Sequence, residues 1–187
     1  FIFLLDPGGE TTAIAIKAWR DKGYESQILN PWKMHQDAPW SLPAHSFNPL
    51  DILDPHADSF ASDAALLAEM IVVRGSKDGG STAFFKDEAQ SAIRAFLMHI
   101  VTAANEGERN LITLRKWITA DGTQWDWLMG SMLTSKIAGG LIANEARQII
   151  RRKEQAPEEF SAVISTMKQA THIPGDPLMQ TARPTRN

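Results

Sequence analysis

Phe84-Phe85-Lys86-Asp87-Glu88-Ala89-Gln90-Ser91-Ala92-Ile93-Arg94-Ala95-Phe96-Leu97-Met98-His99-Ile100-Val101-Thr102-Ala103-Ala104 reads as one long helix. Phe85, Ala89, Ile93, Phe96, Leu97, Ile100 and Ala104 recur at helical spacing on one face, while Lys86, Asp87, Gln90, Arg94 and Thr102 lie mostly away from it. Its centre is expected to be the core of an α-helical domain.

Working outward, the pattern stays helical on both sides. Upstream, Phe60, Ala64, Leu67, Ala68 and Ile71 form one stripe, closed by the turn signal Lys77-Asp78-Gly79-Gly80-Ser81. Downstream, Thr113 is placed to cap a short helix over Leu114 to Ile118, and Gly122 marks a turn before another from Thr123 to Met132. A further helix is predicted from about Gly140 to Lys153. The last opens at Pro157 with Glu158 and Glu159 in its first turn and buries Phe160, Val163, Ile164, Met167 and Ala170. Five to seven helices are therefore expected over residues 57–172, with an extended tail at 173–187.

The first fifty residues read differently. Phe1-Ile2-Phe3-Leu4-Leu5 is apolar at every position, the pattern of a strand covered on both faces in a parallel sheet. It ends at Asp6-Pro7-Gly8-Gly9-Glu10. A helix follows from Thr12 to Lys22 on Ile14, Ala15, Ala18 and Trp19, with Thr11 or Thr12 as cap and Gly23 at its exit. Gln27-Ile28-Leu29 then reads as a second strand, completing a βαβ unit. Five prolines between Asn30 and Pro55 mark an ordered excursion or linker. A start at Phe1, inside an apolar run and without Met, is expected of a segment cut within a buried strand.

Composition narrows the function classes. The 187 residues carry 19 basic and 22 acidic side chains, a net charge of −3, so the summed field offers nucleic acid or an anionic membrane no broad attraction. The absence of cysteine excludes disulfides and thiolate chemistry. No apolar run reaches the roughly 20 residues that span a bilayer, so this segment is expected to be soluble without direct membrane contact.

Three short motifs in fixed order carry a resemblance: Asp6-Pro7-Gly8-Gly9-Glu10, Asn30-Pro31, and Phe47-Asn48-Pro49-Leu50-Asp51. The likeness runs on through Ala57 to Arg74, Phe84 to His99, and Glu158-Glu159-Phe160-Ser161 to Gln169. On this order and spacing the chain resembles the coupling proteins of type IV secretion and conjugation, the TraG type. That family consists of membrane-anchored, hexameric ATPases of the P-loop class with an inserted all-α domain. The fold implied is mainly α: a helical bundle, the all-alpha domain, at 57–172, inserted after a short βαβ remnant of a P-loop-type nucleotide-binding sheet at 1–50. Gly8 departs from the family, which usually has Lys there, so any phosphate or charge contact made by that Lys is missing.

The resemblance also implies a division of labour. ATP and magnesium belong to the full-length protein, anchored with its cytoplasmic parts at the bacterial inner membrane, where other subunits complete a hexamer. The helical domain faces the cytoplasm and recruits relaxase-bound DNA or effector proteins. This sequence lacks the Gly-x-x-x-x-Gly-Lys-Ser/Thr loop and an apolar strand ending in Asp-Glu. It is therefore expected to hold no cofactor of its own and to catalyse nothing by itself.

Asp6, Gly9 and Glu10 form the first turn of the βαβ unit, where such sheets usually bind ligands, and are expected to lie near nucleotide in the intact protein. There the carboxylates would meet magnesium or a neighbouring subunit's loop; the plainer reading is that Asp6 and Glu10 cap the next helix. Trp117, Trp125 and Trp127 cluster where aliphatics are scarce. Trp125 and Trp127, two apart, point about 200° from each other on a helix and cannot both be buried against one layer. Arg147, Arg151, Arg152 and Lys153 make the densest basic group, fitted to phosphate, to an acidic secretion signal, or simply to a solvated helix end. With an exposed Trp, that group also supports a rival reading as a helical single-stranded DNA-binding module. A third reading, an enzyme, would need flanking sequence to complete a site at Asp6 to Glu10.

Other motifs carry less. His35, His45, His56, His99 and His172 never fall at the i, i+3 or i+4 spacing of a helical metal site, so no metal is expected. Ser165-Thr166-Met167-Lys168 has the Ser-x-x-Lys spacing of penicillin-binding enzymes without their partner motifs, and reads as helix surface.

Overall fold

The structure, a computed structural model, describes residues 2–30, 32–45 and 47–172. The expected tail at 173–187, with Phe1 and Pro31, lies outside the described residues. The chain divides between Phe47 and Asn48 into two compact units.

In the first unit, the turn at Asp6 leads into α1 (Glu10–Asp21). Gly9 is its N-cap, at φ 68°, a left-handed conformation that costs any residue with a Cβ. The exit is a Schellman motif: Gly23 N–H donates to Arg20 O at 2.8 Å and Tyr24 N–H to Trp19 O at 3.0 Å, with Gly23 at φ 80°. The expected apolar stripe is rotated, however. Ala13 and Ile16 are buried, Ala15 and Trp19 are half-buried, and Ile14 is 76% exposed. The reason lies opposite the helix: a Cβ on Gly9 would sit 3.2 Å from His35 Cδ2, so the face carrying positions 9, 13 and 16 turns toward Met34 and His35.

No β-strand forms among the described residues, so the βαβ remnant expected over 1–50 is not observed. Residues 2–5 have no regular secondary structure, and Ile2, Phe3 and Leu5 are each at least 80% exposed. A strand is defined by the neighbour that takes its backbone hydrogen bonds, and nothing described pairs with this stretch. At the second expected strand there is one isolated parallel bridge, between Leu29 and His45. His45 N–H donates to Ile28 O at 2.8 Å, and Ile28 N–H donates to the His45 ring Nδ1 at 2.9 Å. The proline-rich excursion is ordered by side-chain clasps of this kind. Asn30, which is buried, accepts from Met34 N–H and donates to Met34 O.

The second unit is all helix. Asn48 caps a 3-10 turn, Pro49–Ile52, accepting from Leu50 N–H, while its amide donates to Arg109 O at 2.7 Å. The Asn-Pro-Leu-Asp motif is thus structural in this unit. It pins the entry of the bundle and drives Leu50 into the core. Six α-helices follow among the described residues: α2 (Phe60–Ile71), α3 (Ser81–Ala103), α4 (Leu111–Ile118), α5 (Gly122–Leu133), α6 (Leu141–Gln155) and α7 (Pro157–Ala170). The predicted α2 stripe holds: Phe60, Ala64, Leu67 and Ala68 are buried, and Ile71 packs at the margin.

The centre of the bundle is α3, packed by α2, α4, α6 and α7. From Ala95 to Val101 every residue is buried, His99 included, so the expected single apolar face widens to the whole circumference. Surrounded helices bury all sides, which periodicity alone does not reveal. His99 Nε2 lies 3.0 Å from Ser131 Oγ, and the ring sits 5.4 Å from Trp117, centroid to centroid. Burial pulls its imidazole down to about 4. The α4 cap is Asn110 rather than Thr113: its Oδ1 accepts from Ile112 and Thr113 N–H at 3.0 and 3.1 Å, and Thr113 itself is buried.

Candidate functional site

At the end of the second unit, α5, α6 and α7 meet on aromatic rings. Trp125, on the first turns of α5, is 5% exposed and sits edge-on to Phe96 of α3 and Phe160 of α7, with centroids 6.4 and 5.7 Å away. Such edge-to-face pairs add about 0.5–1.5 kcal/mol beyond the area they bury. Lys153, near the C-terminus of α6, places its Nζ 5.7 Å from the Trp125 ring centroid.

Above this floor opens a groove of about 510 Å³. One wall is a stripe of α7, Ser161, Ile164, Ser165 and Lys168, at the i, i+3, i+4, i+7 spacing of one helix face. The opposite wall is the α4–α5 connection with Asp121 and Gly122, and Lys153 closes the end. Arg115 of α4 fixes the α7 wall, donating from Nη1 to Lys168 O at 2.5 Å and Thr171 Oγ1 at 3.2 Å. Among the described residues, neither Lys153 nor Lys168 has a carboxylate within ion-pair distance. No hydrogen bond joins Ser165 to Lys168, so the pair lacks the contact by which a lysine activates a serine.

The basic group does not form one surface. Arg147 is exposed and donates to Asn144 Oδ1, one turn before the exposed Arg151. Arg152 turns inward to pair with Glu88 of α3, its side chain only 14% exposed. Lys153 belongs to the groove. Beside the Arg152–Glu88 pair, Glu145 is buried and accepts from Ser91 Oγ at 3.0 Å. Burial raises its carboxyl above the usual range, against the Ser91 hydrogen bond.

The two tryptophans separate as their spacing requires: Trp125 is the floor of the groove, and Trp127 is 67% exposed on the other side of α5. In the first unit, Asp6 Oδ2 accepts from Thr12 N–H at 2.7 Å and Thr12 Oγ1 at 2.9 Å. The Thr12 backbone N–H holds the Asp6 carboxyl below the usual carboxylate range. Gly9 supplies the turn conformation and Glu10 is an exposed first helical residue, so this trio has the geometry of a helix entrance. Among the described residues no group of three His, Asp or Glu side chains stands close enough to hold a metal ion, and no helix is long and apolar enough to cross a membrane.

Sequence reasoning singled out Trp125 and Lys153 and missed Ser161, Ser165 and Lys168 as their partners. The signal that could have found them was the polar stripe on α7, offset from the core-facing stripe of the buried Val163 and Met167 and the half-buried Phe160. A family model described as "Type IV secretory system Conjugative DNA transfer" matches residues 2–183. No curated protein and no solved structure matches the chain.

Proposed function

The chain belongs to the type IV secretory system conjugative DNA transfer family, and we propose that its helical unit is the docking module of a coupling protein. In this reading it recruits relaxase-bound DNA or effector proteins to the secretion channel. The observation that carries the proposal is the groove between α5, α6 and α7: an aromatic-floored concavity whose two ammonium groups have no carboxylate partner among the described residues. Concave sites with an apolar floor and a few polar groups at the rim are where partners bind.

The remaining machinery is assigned elsewhere in the assembly. The sequence has no phosphate-cradling Gly-x-x-x-x-Gly-Lys-Ser/Thr loop, so ATP and magnesium are taken to act in other parts of a hexamer at the cytoplasmic face of the inner membrane, and this segment to be non-catalytic. The apolar residues 2–5 would gain strand character beside strands contributed by such parts. Immobilised chain should capture relaxase or effector proteins from its own secretion system. Capture of neither would refute the docking role.

The rival reading, a grip on single-stranded DNA, loses Trp125, which is covered, and keeps the exposed Trp127 and the exposed Arg147 and Arg151. Its binding would weaken steeply with salt as phosphate counterions are released.

A further inference from the structure

We propose that the groove between α5, α6 and α7 is a receptor for an acidic, apolar peptide segment. A carboxylate side chain of that segment would be held between Lys153 and Lys168, and a neighbouring apolar side chain would rest on Phe160 and Ile164. This deepens the docking reading and rests on it, since it names the chemistry of the partner.

Charge is the first argument. Two partly buried cations elsewhere in the bundle are paired, Lys86 with Asp78 at 2.7 Å and Arg152 with Glu88, whereas the groove lysines are exposed. Lys153 and Lys168 converge on one groove from two helices and have no such partner among the described residues. An arriving carboxylate meets the ammonium groups of two exposed lysines, one of them, Lys153, over the Trp125 ring, and hydrogen bonds between ionised partners are the stronger ones.

The second argument is what the groove excludes. A nucleic-acid strand needs an open ring face for stacking, and Trp125 is buried, edge-on to two phenyl rings and topped by Lys153. Asp121 also lines the groove, so an anionic occupant is repelled there and the carboxylate held by the lysines must sit away from it. A peptide tolerates it, since a backbone N–H donates to a carboxylate. Ser161 and Ser165, one turn apart, offer hydroxyls to peptide carbonyls. The volume, about 510 Å³, falls within the roughly 300–1,000 Å³ that houses a compact ligand.

The test uses the whole 187-residue chain and fluorescence anisotropy with three labelled probes: a short peptide alternating Glu with Leu and Phe, the same peptide with Gln for Glu, and oligothymidylate of equal length. The acidic peptide should bind saturably and the other two at least about tenfold more weakly. Lys153→Glu and Lys168→Glu should each weaken it about tenfold. Lys17→Glu, an exposed position in the first unit with the same change in net charge, should leave it unaltered. Ser165→Trp, which fills the groove without replacing either lysine, should block the acidic peptide too; far-UV circular dichroism checks that each variant is folded.

Equal binding of the Gln peptide, preference for oligothymidylate, or acidic-peptide affinity unchanged in folded Lys153→Glu and Lys168→Glu would each overturn the proposal. The same variants separate it from the broader reading. Capture of relaxase or effector that survives both substitutions rejects the groove and keeps docking. Acidic-peptide binding without capture of any substrate protein rejects docking and keeps the groove.

Discussion

His99 gives this protein a predictable acid sensitivity. The imidazole is 3% exposed near the C-terminal end of α3, between Trp117 and Ser131, and burial lowers it from 6.5 to about 4. The unfolded chain therefore binds a proton that the folded chain refuses between those values, so stability is fully present above pH 6.5 and falls as pH drops toward 4. One titrating group with these two values removes about 2 kcal/mol by pH 5 and about 3 kcal/mol by pH 4, relative to neutral pH. That is a large share of the roughly 5–15 kcal/mol that holds a typical domain together. Urea denaturation of the wild type and His99→Gln at a series of pH values isolates the effect. At neutral pH the variant should be less stable by about 1–2 kcal/mol, having lost the histidine's packing and its Ser131 contact. The gap should then close, and reverse, as pH falls. A stability difference that stays flat between pH 7 and about pH 4.5 would refute the reasoning, because the lost packing and Ser131 contact offset the two chains at every pH and only this titration makes the offset change with pH.

Glu145 carries the opposite sign: its carboxyl is raised in the fold, so its contribution is present below the ordinary glutamate range and is lost as pH rises through the folded value. Glu145→Gln should therefore gain stability relative to wild type as pH increases toward neutral, measured by the same denaturation series. Trp125→Ala should cost about 3–5 kcal/mol by opening a cavity beneath Phe96 and Phe160, whereas Trp127→Ala should stay within about 0.5 kcal/mol in thermal unfolding. Gly9→Ala should destabilise the α1 entrance by about 1–2 kcal/mol, from the left-handed backbone and the 3.2 Å approach of His35, read out as faster amide exchange at Thr12 and Ala13.

Much of the bundle was legible because helix termini and stripes are local properties. Pro157 with Glu158 and Glu159 does open α7, Gly23 does close α1, and the α2 stripe lies on the core as spaced. Where local signals competed, tertiary context chose. Asn110 and Thr113 are both able to cap α4, and Asn110 does so because Thr113 is packed inside. The stripe of α1 was expected on Ile14, Ala15, Ala18 and Trp19, yet Ala13 and Ile16 are the buried pair, on the face that Gly9 turns toward Met34 and His35.

The candidate site was half visible. That Trp125 and Trp127 must part company follows from a step of about 100° per residue; which one is buried depends on Phe96 and Phe160, far away in the chain. The cluster from Arg147 to Lys153 looked like one basic surface, yet Glu88 draws Arg152 inward and Trp125 holds Lys153 at the groove.

By itself, the sequence determined the helical class of residues 57–172, the family through the order of its motifs, and the absence of a phosphate loop. The helical class follows from periodicity and the missing loop from short motifs, while the family rests on the resemblance in motif order. Only the tertiary structure decided that Ile2 to Leu5 is no strand here, that α3 is buried on every side, and that Lys153, Lys168 and Trp125 share one groove. Each of those depends on what stands opposite a residue across space, and a helical or strand period records the direction a side chain takes but not what it meets.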